Sequence, residues 1–213
     1  MKKLLFWMVL IVGTVALLGS CAKKEESTTA AAAAAGVCTT CDPLTSTTTA
    51  AGSITVGSAT LSGTYATSCF TNISDFSVGS APSDMKSYGF LFIVRGNDNV
   101  TEEINYYTDS TCTTKGFTQK SMYDNVTVGS ASGSNYQVAL MSTKIKQLVT
   151  TTVAETWAEG KCSSCDYVVD TEYIINFSQQ LYNLWNVSAT TFDRGSYWTN
   201  YDTELKGVIF TKQ

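Results

Sequence analysis

Hydrophobic and polar positions along the chain fall into three regimes. An almost unbroken apolar run, Leu4 to Leu18, opens it behind Lys2 and Lys3. A stretch of alanine, threonine, serine and charge follows from Ala22 to Ser53. From Ile54 onward, short apolar or alternating segments are separated by turn residues, the spacing of β-strands. Leu61 to Cys69 alternates partly, with Leu61, Gly63, Tyr65 and Thr67 on one face. Tyr88 to Arg95 is strongly apolar and ends at Gly96-Asn97-Asp98-Asn99, a hairpin turn. Val100 to Tyr107 is the return strand, with Val100, Glu102, Ile104 and Tyr106 on one face and Thr101, Glu103, Asn105 and Tyr107 on the other. Further strands are predicted at Gly116 to Tyr123, at Asn135 to Met141 running on to Val149, and at Glu172 to Ser178, Leu181 to Val187, Thr190 to Arg194 and Gly207 to Lys212. Val153 to Gly160 carries Ala, Glu and Trp at helical spacing, which predicts one short helix ended by Gly160. About eight to ten strands with at most one helix predict an all-β, antiparallel meandering barrel or sandwich. Closure of a barrel would remove the exposed edges that so many strands otherwise present.

The opening run reads as a secretory signal over residues 1–20. Its apolar part, about fifteen residues, is shorter than the roughly twenty needed to cross a hydrocarbon core. Leu17-Leu18-Gly19-Ser20-Cys21 resembles a bacterial lipobox. The resemblance implies that Cys21 is acylated and becomes the first residue of the mature chain. One acyl chain anchors only reversibly, whereas two or three on one cysteine hold durably. Ala22 in place of Asp after that cysteine implies, by the same resemblance, sorting to the outer membrane. Residues 21–53 then form a lipidated, low-complexity tether: Lys23-Lys24-Glu25-Glu26 is solvated charge, and Ala30 to Ala35 is too short for a stable isolated helix. Residues 54–213 are left as the folded domain.

Composition narrows the chemistry. Loss of residues 1–20 removes two lysines, leaving 12 basic against 18 acidic residues, a net charge of −6. That balance carries no footprint for nucleic acid, and attachment to the membrane falls to the acyl chains. The chain has no histidine. This excludes Ser-His-Asp and Cys-His nucleophiles, His-ligated metals and a histidine pH switch. Glu102 and Glu103 are neighbours on one strand, so they point to opposite faces and cannot act as a catalytic pair; one is expected to face solvent and the other the barrel or its rim. Asp75, Asp84, Asp109, Asp124, Asp193 and Asp202 stand in turn contexts. Trp157, Tyr182, Trp185, Tyr197, Trp198 and Tyr201 either pack the core and rim or line a pocket or contact patch.

Leu61-x-Gly63-x-Tyr65 is similar to the Gly-x-Trp of lipocalins, with Tyr in place of Trp. The longer frame Leu-x-Gly-x-aromatic-x-x-x-Cys from Leu61 to Cys69, with Tyr107-Thr108-Asp109-Ser110-Thr111-Cys112 after it, resembles the lipocalin-like domain of a Wnt-inhibiting membrane glycoprotein family. The resemblance covers about 50 residues. It implies an antiparallel barrel that holds a lipid, with Cys69 and Cys112 bridged. The C-terminal arginine of lipocalins has no clear counterpart: Arg194 precedes the last predicted strand, and Lys206 stands at its start.

Besides Cys21, six cysteines remain: Cys38, Cys41, Cys69, Cys112, Cys162 and Cys165. An even number in an exported chain predicts disulfides, and six cysteines allow 15 connectivities. Four of them form two copies of one phrase, Cys38-Thr39-Thr40-Cys41-Asp42 and Cys162-Ser163-Ser164-Cys165-Asp166. Disulfides within or across these pairs, a four-thiolate zinc site and a thioredoxin-like redox pair all fit the spacing. Export favours oxidation, and no βαβ unit surrounds either copy. The expectation is a non-enzymatic, lipid-anchored outer-membrane protein with no cofactor and no metal. Its barrel is expected to bind a small apolar ligand or an envelope or host protein. A structural or adhesive protein with a filled barrel is the alternative, and a CxxC redox protein the more distant one.

Overall fold

The computed structural model describes residues 46–73, 81–197, 199–201 and 204–213. The signal at 1–20, Cys21, the tether up to residue 45 with Cys38 and Cys41, and also Asp75, Trp198 and Asp202, lie outside the described residues.

Among the described residues, ten strands and one helix follow in order: β1 (Ile54–Val56), β2 (Ala59–Leu61), β3 (Thr64–Ala66), β4 (Ser87–Val94), β5 (Val100–Tyr107), β6 (Lys115–Ser132), β7 (Asn135–Val149), α1 (Thr152–Lys161), β8 (Glu172–Val187), β9 (Thr191–Arg194) and β10 (Phe210–Lys212). Strands β3 to β10 form one closed antiparallel barrel of eight, in the order β10-β3-β4-β5-β6-β7-β8-β9. The short β10 closes it by pairing with β3 on one side and β9 on the other. The predicted fold class is therefore the observed one.

Several boundaries differ from the pattern for identifiable reasons. The segment Leu61 to Cys69 is split, because Gly63 takes φ +87° and turns the chain between β2 and β3. Gly207, at φ +70°, likewise shortens the last strand to Phe210–Lys212. β6 runs on to Ser132 where polarity suggested a stop near Tyr123. Register irregularities, with Asn125 at φ +54°, let it bend and keep pairing with β7. Glu172 to Val187 is one strand instead of two. Gly160 does not end the helix: α1 continues to Lys161, and the extended backbone of Cys162 stops it. Its start is fixed by Thr151, whose hydroxyl accepts from the Ala154 amide at 3.0 Å.

One end of the barrel is packed solid. Phe92, Trp185, Phe192, Phe210 and Tyr65 meet with ring centroids 4.6 to 6.3 Å apart. Burial of each such side chain is worth roughly 1.5–3 kcal/mol, and each favourable ring pair about 0.5–1.5 kcal/mol more. The β1–β2 hairpin joins this core through Ile54, Val56 and Leu61. It turns at Gly57, where φ is +61° and a Cβ would overlap the Tyr136 hydroxyl. Gly57→Ala is expected to cost about 1–3 kcal/mol through the left-handed backbone and that overlap. A thermal midpoint lowered by roughly 2–10 °C would show it.

A second, smaller core lies outside the barrel wall. Ala66, Leu91, Ile93, Tyr107 and Cys112 form it, with Ala50 and Cys69 packed against them. Consequently every residue of β4 is buried, whichever face it occupies. The chain from Ser46 to Ser53, predicted as the last part of a free tether, lies on this outer face. Ala51 donates its amide to Val94 O at 2.9 Å, and Ser53 donates its amide to Asn97 Oδ1 at 3.3 Å. Apolar outward positions on β3, β4 and β5 provide the area that holds this strap.

Candidate functional site

The barrel interior is the site to which the most side chains converge. Register places its inner wall in rows that cross the strands. One row runs Phe90, Ile104, Gln119, Gln147, Tyr173, and the next runs Phe92, Glu102, Ser121, Ile145, Ile175. On β5 every position but one is buried, and the exception lies on the inner face. The outward Glu103 and Asn105 are 0% exposed, whereas the inward Ile104 between them keeps solvent-accessible surface. Gln119, Ile145 and Gln147, also inward, are likewise only partly buried. The inner wall therefore keeps accessible surface at this level, in the part of the barrel next to α1. An eight-stranded barrel has an interior of the size that side chains fill or that holds one small ligand.

The rim on that side is covered by α1 and the segment after it. Trp157 packs edge-on against Phe117 at 5.4 Å between centroids. Tyr167 packs on Tyr173 at 4.6 Å and donates its hydroxyl to Gln147 Oε1. Gln147 Nε2 in turn donates to Gln119 Oε1 at 2.8 Å. Burial first, then the neighbouring Tyr173, pushes the Tyr167 hydroxyl up from the ordinary tyrosine range, so it stays a donor.

Toward the aromatic end the hollow meets a buried ion pair. Arg194 Nη2 donates to Glu102 Oε1 at 2.6 Å, with side chains 12% and 5% exposed. Tyr197 donates its hydroxyl to Glu102 Oε2 at 3.1 Å, and Arg194 Nη1 donates to Gly195 O at 2.9 Å. The guanidinium lies over three rings, 4.8 Å from Tyr197 and 5.9 Å from each of Phe90 and Phe210. Tyr123 stacks on Tyr197 at 4.7 Å. Burial, and then the Glu102 charge, holds both phenols protonated well above the usual range. Burial, the largest influence, would lower the Arg194 pKa, but Glu102, Tyr197 and Tyr123 together outweigh it and keep the cation charged. Sequence reading left Arg194 without a role because its partner, Glu102, is 92 residues away. An arginine amid aromatics on a strand was the available signal.

The remaining expected residues are distributed as follows. Glu102 and Glu103 do point to opposite faces, but Glu103 does not face solvent. The strap covers it: Ser46 and Thr48 donate to Glu103 Oε1, and Lys120 Nζ stands 3.4 Å from the same oxygen. Asp109 serves its turn as expected, accepting from the amides and hydroxyls of Thr111 and Thr113 and the amide of Thr114. Asp124 and Asp193 lie within β6 and β9 instead of in turns. Asp124 joins Arg95 at 3.1 Å, Asn99 at 2.7 Å and Thr143 at 2.8 Å across three segments. Of the C-terminal aromatics, Trp185 and Tyr197 are core, whereas Tyr201 is exposed and pairs with Tyr182 at 4.7 Å. Lys212 Nζ lies 6.0 Å over the Tyr65 ring at the packed end.

Cys69 and Cys112 stand at disulfide distance, with Cα atoms 5.9 Å apart. Cys162 and Cys165 are also at disulfide distance, with Cα atoms 5.3 Å apart. A crossed pairing with the first CxxC phrase is thus not what the second one makes. Among the described residues, no group of three or more His, Cys, Asp or Glu side chains is placed to hold a metal ion. No described helix is long and apolar enough to cross a membrane. No protein-family model matches this chain, and comparison with curated proteins finds no relative.

Proposed function

We propose that this protein is a lipid-anchored envelope protein, held at the outer membrane through Cys21, whose barrel binds one small apolar ligand without catalysis. The carrying observation is the one exception on a buried strand: Ile104 inside β5 keeps solvent-accessible surface while Glu103 and Asn105 outside keep none. Around that level, the inner wall presents Phe90, Ile104, Ile145 and Ile175, the apolar lining typical of small-molecule sites. The lipobox-like Leu17 to Cys21 supports the anchor, and the lipocalin-like frame around Gly63 and Tyr65 supports a ligand-holding barrel. The solid aromatic end favours a second reading, a filled structural barrel whose loops meet envelope or host proteins.

Purification of the full chain from membranes, followed by organic extraction and mass spectrometry of the extract, separates the two. A stoichiometric small apolar molecule is expected, and its yield should fall when Ile104→Trp and Ile145→Trp fill the hollow. An empty barrel that also rejects added apolar dyes would leave the filled structural reading in its place. Mass spectrometry of the N-terminal peptide tests the anchor, with an acylated Cys21 expected and a free one overturning it.

A further inference from the structure

We infer that the hollow selects amphiphiles with an uncharged, hydrogen-bonding head group, such as an amide, alcohol or ester, over those with a carboxylate or ammonium. This rests on the ligand-binding reading above and names the class of ligand.

Along the inward faces of β4 to β9, the described positions carry one acid, Glu102, and one base, Arg194, and these are paired at 2.6 Å. Tyr197 and Gly195 O take up further valences of the pair. The two charges on these faces are therefore paired with each other, and only Arg194 Nε of the guanidinium keeps no partner among the described residues. A carboxylate head in the hollow would find its natural counter-ion committed to Glu102, and an ammonium would find Glu102 committed to Arg194. A desolvated charge without a partner is unfavourable by more than a single hydrogen bond returns. A neutral head brings no such penalty.

Of the inward polar groups, the carboxamide of Gln119 stands directly opposite Ile104. Tyr167, Gln147 and Gln119 form a chain of hydrogen bonds across the wall, each donating to the next. The chain ends on the Gln119 carboxamide, whose Nε2 has no hydrogen bond to a described residue and which faces the partly exposed level beside Ile104. That NH2 group offers two donors and no charge. It suits a carbonyl or hydroxyl oxygen whose apolar chain lies along Ile104, Ile145 and Ile175. Tyr167 holds Gln147, and Gln147 holds Gln119, so the donor is oriented before a ligand arrives.

The test uses the full chain reconstituted in phospholipid nanodiscs and two diazirine probes with the same alkyl chain, one ending in a primary amide and one in a carboxylate. After photolysis at neutral pH, peptides containing Ile104, Gln119 and Ile145 are quantified. The amide probe is expected to label them about tenfold more than the carboxylate, as one unpaired charge in a desolvated site implies. Gln119→Met, close in volume, should reduce amide labelling severalfold and narrow the ratio, with near-UV circular dichroism confirming an unchanged fold. Equal or stronger labelling by the carboxylate would overturn the selectivity while leaving ligand binding intact. A wild-type ratio that persists in a folded Gln119→Met would overturn the role of the glutamine chain. Labelling by neither probe would overturn the binding reading itself, and this inference with it. The wild-type ratio decides the main point even if the variant does not fold.

Discussion

Arg194→Met is expected to destabilise the barrel by about 3–5 kcal/mol, the cost of stranding one member of a buried ion pair. Glu102 would remain 5% exposed with its 2.6 Å partner gone and only the Tyr197 hydroxyl left to it. Methionine keeps much of the apolar packing against Phe90, Tyr197 and Phe210, so the loss reports the charge and not a cavity. Urea unfolding followed by tryptophan fluorescence measures it, since Trp185 lies in the same core. The double variant Glu102→Leu with Arg194→Met should regain most of the loss, because an apolar replacement of both partners removes the desolvation cost along with the attraction. A single variant within 1 kcal/mol of the parent would mean that water reaches the pair and screens it.

Removal of the clasp between Cys69 and Cys112 is the second large effect. The two lie 43 residues apart in sequence, and loop-closure entropy for that span amounts to about 4 kcal/mol. Cys69→Ala with Cys112→Ala is expected to lose an amount of that order, and to loosen the outer core in which Cys112 is 0% exposed beside Leu91, Ile93 and Tyr107. Ser46 to Ser53 rests against that same outer core, so limited proteolysis should cut within the strap faster in this variant. Cys162→Ala with Cys165→Ala opens a loop of only a few residues, for which the same entropy is about 2 kcal/mol. A larger loss from the Cys162 pair than from the Cys69 pair would contradict the entropic account.

Much of the fold was legible in local pattern, and the reasons are physical. The alternation of β5, the apolar run of β4 and the Gly96 to Asn99 turn are short-range signals, and β4 and β5 pair from Ser87↔Tyr107 to Val94↔Val100 as that hairpin requires. The failures have one origin. Side-chain period tells which residues share a face but not what covers that face. One of Glu102 and Glu103 is expected at solvent on that ground, yet neither is there: Glu103, on the outer face, is buried because a distant segment lies on it. Asp124 was assigned to a turn on residue type, whereas it satisfies Arg95, Asn99 and Thr143 within a bent strand.

By itself the sequence determined the strand content, the absence of histidine chemistry, and the opposite facing of Glu102 and Glu103, because composition and a two-residue period are local properties. Only the tertiary structure decided that Glu102 meets Arg194, that the outside of β3 to β5 is a second core, and that Ile104 inside keeps accessible surface. Each of those depends on residues about 40 to 90 positions apart being brought together by closure of the barrel, and no local pattern encodes such a distance.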